Sequence, residues 1–223
     1  KCISDYGKEN CYDGNGKITK KSRYWEHNSK SHPIQVYIFN SDVTVIGKYD
    51  YEYDCNNGIT LLKEKYYDMQ GLLLECSEYL YDSNGNRVKS INYDFNKKKD
   101  NNPRIDNTFY KYDSNRNRIE EVQYRSGKLG MTYKNKYNSA GKLIEHKVYK
   151  ADGSIYCFSD LKYDLKGNYI ECLTYNQDSH LTRKLISEYD KFGNRTQYID
   201  YDLVKTTSSR SIMTYDRKRN LIE

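Results

Sequence analysis

The chain is poor in the residues from which cores, membrane spans and zinc sites are usually made. Only 43 of its 223 residues are Ile, Leu, Val or Phe, a fraction that would indicate disorder if the net charge were high. The formal charge is only +6, and 26 tyrosines supply large rings that can be buried while their hydroxyls stay bonded or wet. A folded chain packed largely by tyrosine is therefore expected. The most apolar runs, Val43–Ile46 and Leu72–Leu74, are strand-sized and well short of the ~20 residues a spanning helix needs. Cys2, Cys11, Cys55, Cys76, Cys157 and Cys172 show no Cys-x-x-Cys spacing, which argues against structural zinc. Cys157 and Cys172 should lie on hairpin neighbours, and Cys2 could bridge to Cys11; buried or idle thiols are an equal alternative. Cys2 is also a candidate lipid-attachment site, although Lys1 precedes it.

Other absences narrow the function. The 37 basic and 31 acidic residues are interspersed, and Lys97-Lys98-Lys99 is the one dense basic run. With no basic stripe or recognition motif, nucleic acid is not an expected partner. The chain holds no Gly-x-Ser-x-Gly elbow, phosphate loop or Gly-x-Gly-x-x-Gly, so no catalytic residue and no cofactor is assigned. Asp82-x-Asn84-x-Asn86 and Asp113-x-Asn115-x-Asn117 mimic the start of a calcium loop, but Tyr93 and Tyr124 stand where its bidentate Glu belongs. His27 and His32 have no acid or Cys at ligand spacing and read as solvated, so no metal site is assigned. With neither initiator Met nor signal peptide, the chain runs from Lys1 to Glu223, partway into a repeat, so both ends are expected to be cut ends.

What is present is a period. Tyr137, Tyr149, Tyr163, Tyr175, Tyr189, Tyr201 and Tyr215 are separated alternately by 12 and 14 residues, giving a 26-residue repeat of two half-units. Long halves end in Tyr-Asp-x-x-Gly-Asn, as at Tyr163–Asn168 and Tyr189–Asn194. A fixed period means one supersecondary unit stacked many times. Within it, runs of eight or nine β-branched and aromatic residues alternate with short polar turns, leaving no room for a crossover helix. The expected fold is all-β: a repetitive antiparallel meander of about 13–16 strands in a curved or partly wound sheet, because wide sheets accumulate twist.

Turn chemistry supports this reading. In Tyr-Asp-x-x-Gly-Asn the Asp can accept a backbone N–H two residues on, and Gly supplies the positive φ of a type I turn with a bulge. The structural turn residues are Asp82, Gly85, Asp164, Gly167, Asp190 and Gly193, with Asp152-Gly153 and Ser126-Gly127 serving short halves. Arg116 occupies a Gly position, so either that turn changes type or Asn115 or Asn117 takes the left-handed conformation. Residues 1–223 are read as one repeat domain, with 1–50 diverged, 51–223 regular and a protruding basic loop at 96–103. Tyr12–Ile18 is an early Tyr-Asp turn. On the strand at 168–175, Tyr169, Leu173 and Tyr175 share one face and Ile170, Cys172 and Thr174 the other. The aromatic face is expected to be the buried one.

Tyr79-Leu80-Tyr81-Asp82-Ser83-Asn84-Gly85-Asn86 resembles the repeat of the YD-repeat (RHS-repeat) family, over residues 49–223 well and over the first fifty loosely. The chain looks like a short bacterial member. The resemblance implies an exported protein, extracellular, cell-surface or periplasmic, whose repeats build a β-sheet shell used for encapsulation or adhesion. The chain departs from the family in having mostly Asn or Lys after the Gly, and its two prolines, after His32 and Asn102, form no Asp-Pro element. An open sheet fits better than a closed shell.

The expected role is a non-catalytic, surface-exposed or secreted scaffold that binds a carbohydrate or protein partner through its tyrosine-rich sheet. Tyr offers a flat ring, a hydroxyl and little entropy to lose. The candidate contacts are Tyr156, Tyr169, Tyr198 and Trp25, set against the alternative that they complete the sheet's own packing. An encapsulating toxin-type shell fragment and a hydrolase with an unrecognised carboxylate pair are the other readings.

Overall fold

The computed structural model describes residues 2–5, 8–12, 18–40, 44–99, 102–216 and 221, with side chains from residue 26 onward except 97–99. The expected turn at Asp13–Lys17 lies outside the described residues, as do the side chains of Cys2, Cys11, Trp25 and Lys97–Lys99. Seventeen strands follow in chain order: β1 (Cys2–Asp5), β2 (Lys8–Tyr12), β3 (Ile18–His27), β4 (Pro33–Phe39), β5 (Val45–Tyr53), β6 (Leu61–Asp68), β7 (Leu73–Tyr81), β8 (Arg87–Lys99), β9 (Asn102–Tyr112), β10 (Arg118–Arg125), β11 (Lys128–Tyr137), β12 (Leu143–Tyr149), β13 (Ile155–Tyr163), β14 (Tyr169–Asn176), β15 (Leu181–Tyr189), β16 (Arg195–Asp202) and β17 (Thr207–Ile212). The fold is all-β and antiparallel, as the period requires, and no helix occurs among the described residues. The strands slightly exceed the thirteen to sixteen expected, because even the diverged first fifty residues hold four strands and the start of a fifth. Among the described residues no helix is long and apolar enough to cross a membrane, which says nothing of a β-barrel.

The chain divides into two compact units, one of residues 1–109 with 124–128, the other of 110–123 with 129–223. In the first, each of β1 to β9 pairs antiparallel with the next. In the second, β11 to β17 do the same. The extra residues after Tyr93 are carried as extended backbone rather than as a loop through Lys99. The β8–β9 ladder breaks after Asp94↔Arg104 and resumes at Lys99↔Asn102.

The long-half turns share one closure, except that after Tyr53, where the Asp54 N–H donates to the Thr60 carbonyl two residues further on. The Asp164 N–H donates to the Asn168 carbonyl and the Gly167 N–H to the Asp164 carbonyl, both at 3.0 Å. Asp164 Oδ1 accepts from the N–H groups of Lys166 (2.9 Å) and Asn168 (2.8 Å), while Oδ2 accepts from Asn168 Nδ2 at 2.8 Å. Asp82, Asp113 and Asp190 repeat all three side-chain bonds. The calcium-like Asp-x-Asn-x-Asn runs are therefore turns whose carboxylate is bonded to its own loop. Gly85, Gly167 and Gly193 have φ of 79°, 82° and 85°, where a Cβ would be strained. Arg116 resolves the choice posed above: it takes φ 65° itself and keeps the turn, with its N–H on the Asp113 carbonyl.

The ladder slips by one residue just before the tyrosine in strand after strand: at Glu52/Tyr53, Leu80/Tyr81, Lys162/Tyr163 and Glu188/Tyr189 in long halves, and at Val148/Tyr149 and Thr174/Tyr175 in short ones. Such a bulge bends the strand and re-aims the side chain beside it. In the long halves the re-aimed hydroxyl bonds the first carbonyl of the preceding strand: Tyr53 to Pro33 (3.0 Å), Tyr81 to Leu61 (2.8 Å), Tyr163 to Leu143 (3.0 Å) and Tyr189 to Tyr169 (2.9 Å). Partial burial pushes the hydroxyls of Tyr53, Tyr81 and Tyr163 above the ordinary tyrosine range. Short-half tyrosines carry ring contacts instead, with Tyr175 stacked on Phe158 at 4.7 Å and Lys134 Nζ 5.4 Å from the Tyr149 ring.

The buried set is small, and no large side chain among the described residues is completely buried. In the second unit it comprises Val148, Cys172 and Ser187, which the registers place on one face. The drier face is thus the one carrying Cys172 and Thr174; Tyr169, expected beside Leu173 and Tyr175, reaches this face through its bond to Cys172, and Tyr198 stands on it opposite Ser187, while Leu173 and Tyr175 sit half-exposed on the other. In the first unit Val36 and Ile38 are buried on β4, opposite Tyr49 and Gly47. The Tyr66 ring covers Gly47 so closely that a methyl there would meet its Oη and the Tyr67 carbonyl at 2.6 Å.

Two stability predictions follow from the turn and its clasp. Arg116→Gly should raise stability by about 1 kcal/mol, the relieved left-handed strain less glycine's entropy, read as a higher urea midpoint. Tyr163→Phe and Tyr189→Phe should each cost about 1 kcal/mol, the net worth of one buried hydrogen bond; unchanged midpoints would mean the clasp is incidental.

Candidate functional site

Tyr156 is the candidate residue that the structure places in a recess. It is the second residue of β13 and is 52% exposed. A concavity of about 410 Å³ is lined by Tyr156, Cys157, Tyr175, Asn176, Gln177, Asp178 and Thr182. Its far wall is the β14–β15 turn, in which Asn176 Oδ1 accepts the N–H groups of Asp178 (3.0 Å) and His180 (2.9 Å). Ser179 holds the left-handed position there, at φ 61°. Gln177 is anchored through Oε1 by Lys150 Nζ at 2.7 Å, and the Thr182 hydroxyl donates to the Thr174 carbonyl at 3.0 Å. Burial pushes the Cys157 thiol above its ordinary range. The recess thus offers one exposed ring beside an amide and a carboxylate, which suits a polar ligand with one apolar face.

The other named tyrosines do structural work. Tyr169 opens β14, meets Tyr163 edge-on at 5.8 Å and gives its carbonyl to the Tyr189 hydroxyl. Burial, then its bond to Cys172, pushes its hydroxyl well above the usual range. Tyr198 lies half-exposed on β16 under the Arg195 guanidinium, 5.0 Å from the ring centroid. Neither lines the Tyr156 recess. Trp25 stands on β3, its side chain outside the described residues.

Cys157 and Cys172 lie on hairpin neighbours, β13 and β14, as expected. Cys157 stands opposite Asn176 and Cys172 opposite Leu161, so they are offset along the ladder and both free. Cys2 and Cys11 are directly opposite in the β1–β2 register. His32 is not solvated as expected: it packs on Tyr53 at 5.6 Å with Nδ1 buried. Acids converge in the first unit around Arg104, whose Nη2 lies 3.0 Å from Asp106 and 3.8 Å from Asp94, beside Glu75. Here the carboxylates share a fixed cation. Among the described residues no group of three His, Cys, Asp or Glu is placed to hold a metal ion.

One recurring feature was missed by the sequence reading. On the face opposite Cys172, Lys162 and Lys184 flank Glu171 (2.7 and 3.5 Å), and Lys136 and Lys147 flank Glu145 (both 2.9 Å). Lys111 pairs with Glu120 at 2.6 Å. The signal is the Lys before Tyr112, Tyr137 and Tyr163 and the Glu nine residues later, as in Lys162–Glu171. Cross-strand opposite charges each contribute a few tenths of a kcal/mol, up to about 1.

No protein-family model matches the chain, and no curated protein matches it. Solved structures with some likeness include TcdB2-TccC3, at 10% identity over 96% of this chain and 16% of that one, with a TM-score of 0.42. The Tc holotoxin pore of Photorhabdus luminescens gives 12% identity, the same coverages and a TM-score of 0.32. A porin-like protein from Bacteroides uniformis gives 10% identity over 92% and 86% of the two chains, with a TM-score of 0.45. The chain spans about a sixth of the length of the first two. Likeness at this level assigns neither family nor function.

His146 gives the second unit a pH dependence. Burial, then the nearby Arg118 charge, lowers its pKa against the opposing pull of Glu121. Its Nδ1 is 2.7 Å from Asn135 Oδ1, and its ring stacks on Tyr133 at 5.9 Å. The unfolded chain takes up this proton first, so stability should fall as pH drops below about 6.5. Bonds from Asn117 and Asn168 hold Asp113 and Asp164 below the carboxylate range. Their contribution is present above about pH 4 and lost below it. A urea series against pH should show two steps, and His146→Gln should flatten only the upper one.

Proposed function

We propose that the protein is a non-catalytic, exported repeat scaffold that binds a carbohydrate through the Tyr156 recess. The supporting observation is the half-exposed Tyr156 ring beside Gln177 and Asp178. A pyranose presents an apolar C–H face and a hydroxyl edge, which an aromatic ring and neighbouring amide and carboxylate groups can receive. The rest of the repeat chemistry supports a scaffold: the turn acids are bonded to their own loops, and the long-half tyrosine hydroxyls are bonded to backbone carbonyls. Export rests on the family resemblance of the repeat.

A second reading, a wall segment of a larger encapsulating shell, has one observation in its favour. Each tyrosine clasp joins only neighbouring strands, so the array can lengthen without changing its unit. Glycan-array binding followed by calorimetry separates the two. Tyr156→Ala should weaken a glycan hit at least about tenfold, as for an aromatic anchor, with the thermal melt unchanged. Absence of any saturable glycan would overturn the binding reading and leave the wall.

A further inference from the structure

Resting on the carbohydrate reading of the Tyr156 recess, we propose that the ligand is an acidic sugar chain whose carboxylate or sulfate group is held between Lys134 and Lys147. These two lysines are directly opposite in the β11–β12 ladder, and like charges so placed destabilise a sheet. Other lysines on the same face are matched: Lys136 stands opposite Glu145, and Lys162 opposite Glu171. Glu145 pairs with Lys147 at 2.9 Å, but it pairs with Lys136 at the same distance, so one carboxylate serves two ammonium groups. Lys134 enters no ion pair among the described residues, and its Nζ lies 5.4 Å from the centroid of the Tyr149 ring. An anion between Lys134 and Lys147 would turn their repulsion into attraction to a shared centre.

The surroundings leave this positive charge in excess. A concavity of about 400 Å³ is lined by both lysines together with Lys111, Lys136, Glu120, Glu145, Ile119 and Tyr149, so four ammonium groups face two carboxylates. The acids also lie deeper: the side chains of Glu120 and Glu145 are each 20% exposed, against 70% for Lys111 and 67% for Lys136. The next acid on this face, Asp160, stands opposite Glu145. Asp160 and Glu171 are balanced by Lys162 and Lys184, so β13 to β15 add no net negative charge there.

The neighbouring rings point to a sugar as the carrier of the anion. Lys147 is opposite Phe158 in the β12–β13 ladder, and Tyr156 stands two residues before Phe158 on the same face. At ~4.8 Å between strands and ~3.3 Å per residue, Tyr156 is roughly 8 Å from Lys147 along the backbone grid, within reach of one oligosaccharide. Phe158, stacked on Tyr175 at 4.7 Å, occupies the ground between them. Rings beside cations suit a chain that combines flat C–H faces with fixed negative charge. An acidic peptide would bring the charge without a flat face for Tyr156.

Titration calorimetry of the full chain tests the assignment, using an oligogalacturonate, its fully methyl-esterified form and a sulfated dextran oligomer. At physiological salt at least one charged oligomer should bind saturably, and the neutral ester at least about tenfold more weakly. Lys134→Glu converts the opposed lysines into an opposed ion pair. It should therefore raise the urea midpoint while weakening the charged oligomer about tenfold or more, a combination that a merely structural role would not give. Lys134→Gln should weaken binding in the same direction and guards against misfolding of the first variant. Equal affinity for acid and ester, full binding by Lys134→Glu, or equally tight binding of polyphosphate would overturn the acidic-sugar proposal and leave the Tyr156 recess standing. Binding of the charged oligomer that survives Tyr156→Ala unweakened would instead overturn the recess and leave the lysines. No binding of any oligomer would overturn both.

Discussion

A strand that must turn every thirteen residues or so leaves a carbonyl without a ladder partner where the next strand begins, and the structure depends on how that carbonyl is met. The bulge ahead of each long-half tyrosine swings its ring over the neighbouring strand, and the hydroxyl closes on the stranded oxygen. The same bulge requires a left-handed residue in the following turn, which Gly supplies in most copies and Arg116 supplies under strain. Turn, bulge and clasp are one device, repeated. It explains how a chain with so few aliphatic residues holds extended segments together: a tyrosine contributes buried ring surface and a hydrogen bond at one site.

With the strand ends fixed in this way, the faces need not form a deep apolar core. Cys172 and Ser187 are buried on one side, and a lattice of Glu between pairs of Lys covers the other. Exposed ion pairs of this kind add little individually. Their effect is to keep a wide sheet surface polar, which discourages face-to-face association. Exposed rings and apolar side chains then fall at interruptions of the pattern: Tyr156 beside a short-half turn, and Leu165 where the neighbouring turn carries Ser139.

The antiparallel meander and the turn positions were legible because tyrosine spacing and Asp-x-x-Gly-Asn report backbone requirements local to a few residues. The identity of the buried face was not legible. One bulge per turn shifts the alternation, so parity counted along 168–175 cannot say which side the neighbours cover. The thiols show the same limit in degree: neighbouring strands and a diagonal relation for Cys157 and Cys172 were legible, while the exact offset, opposite Asn176 and Leu161, was set by the register. Tyr169 was a candidate contact as a repeated aromatic, and the structure gives its ring to Tyr163 and its carbonyl to the clasp of the next repeat.

Period, turn chemistry and strand direction were determined by the sequence alone, since each follows from φ preferences and hydrogen-bonding groups within one half-unit. Which tyrosines became clasps, which ring stayed open beside Gln177 and Asp178, and which turn tips came to stand side by side were decided only by the tertiary structure. Those outcomes depend on registers and bulges that bring residues about 20 to 26 positions apart into contact.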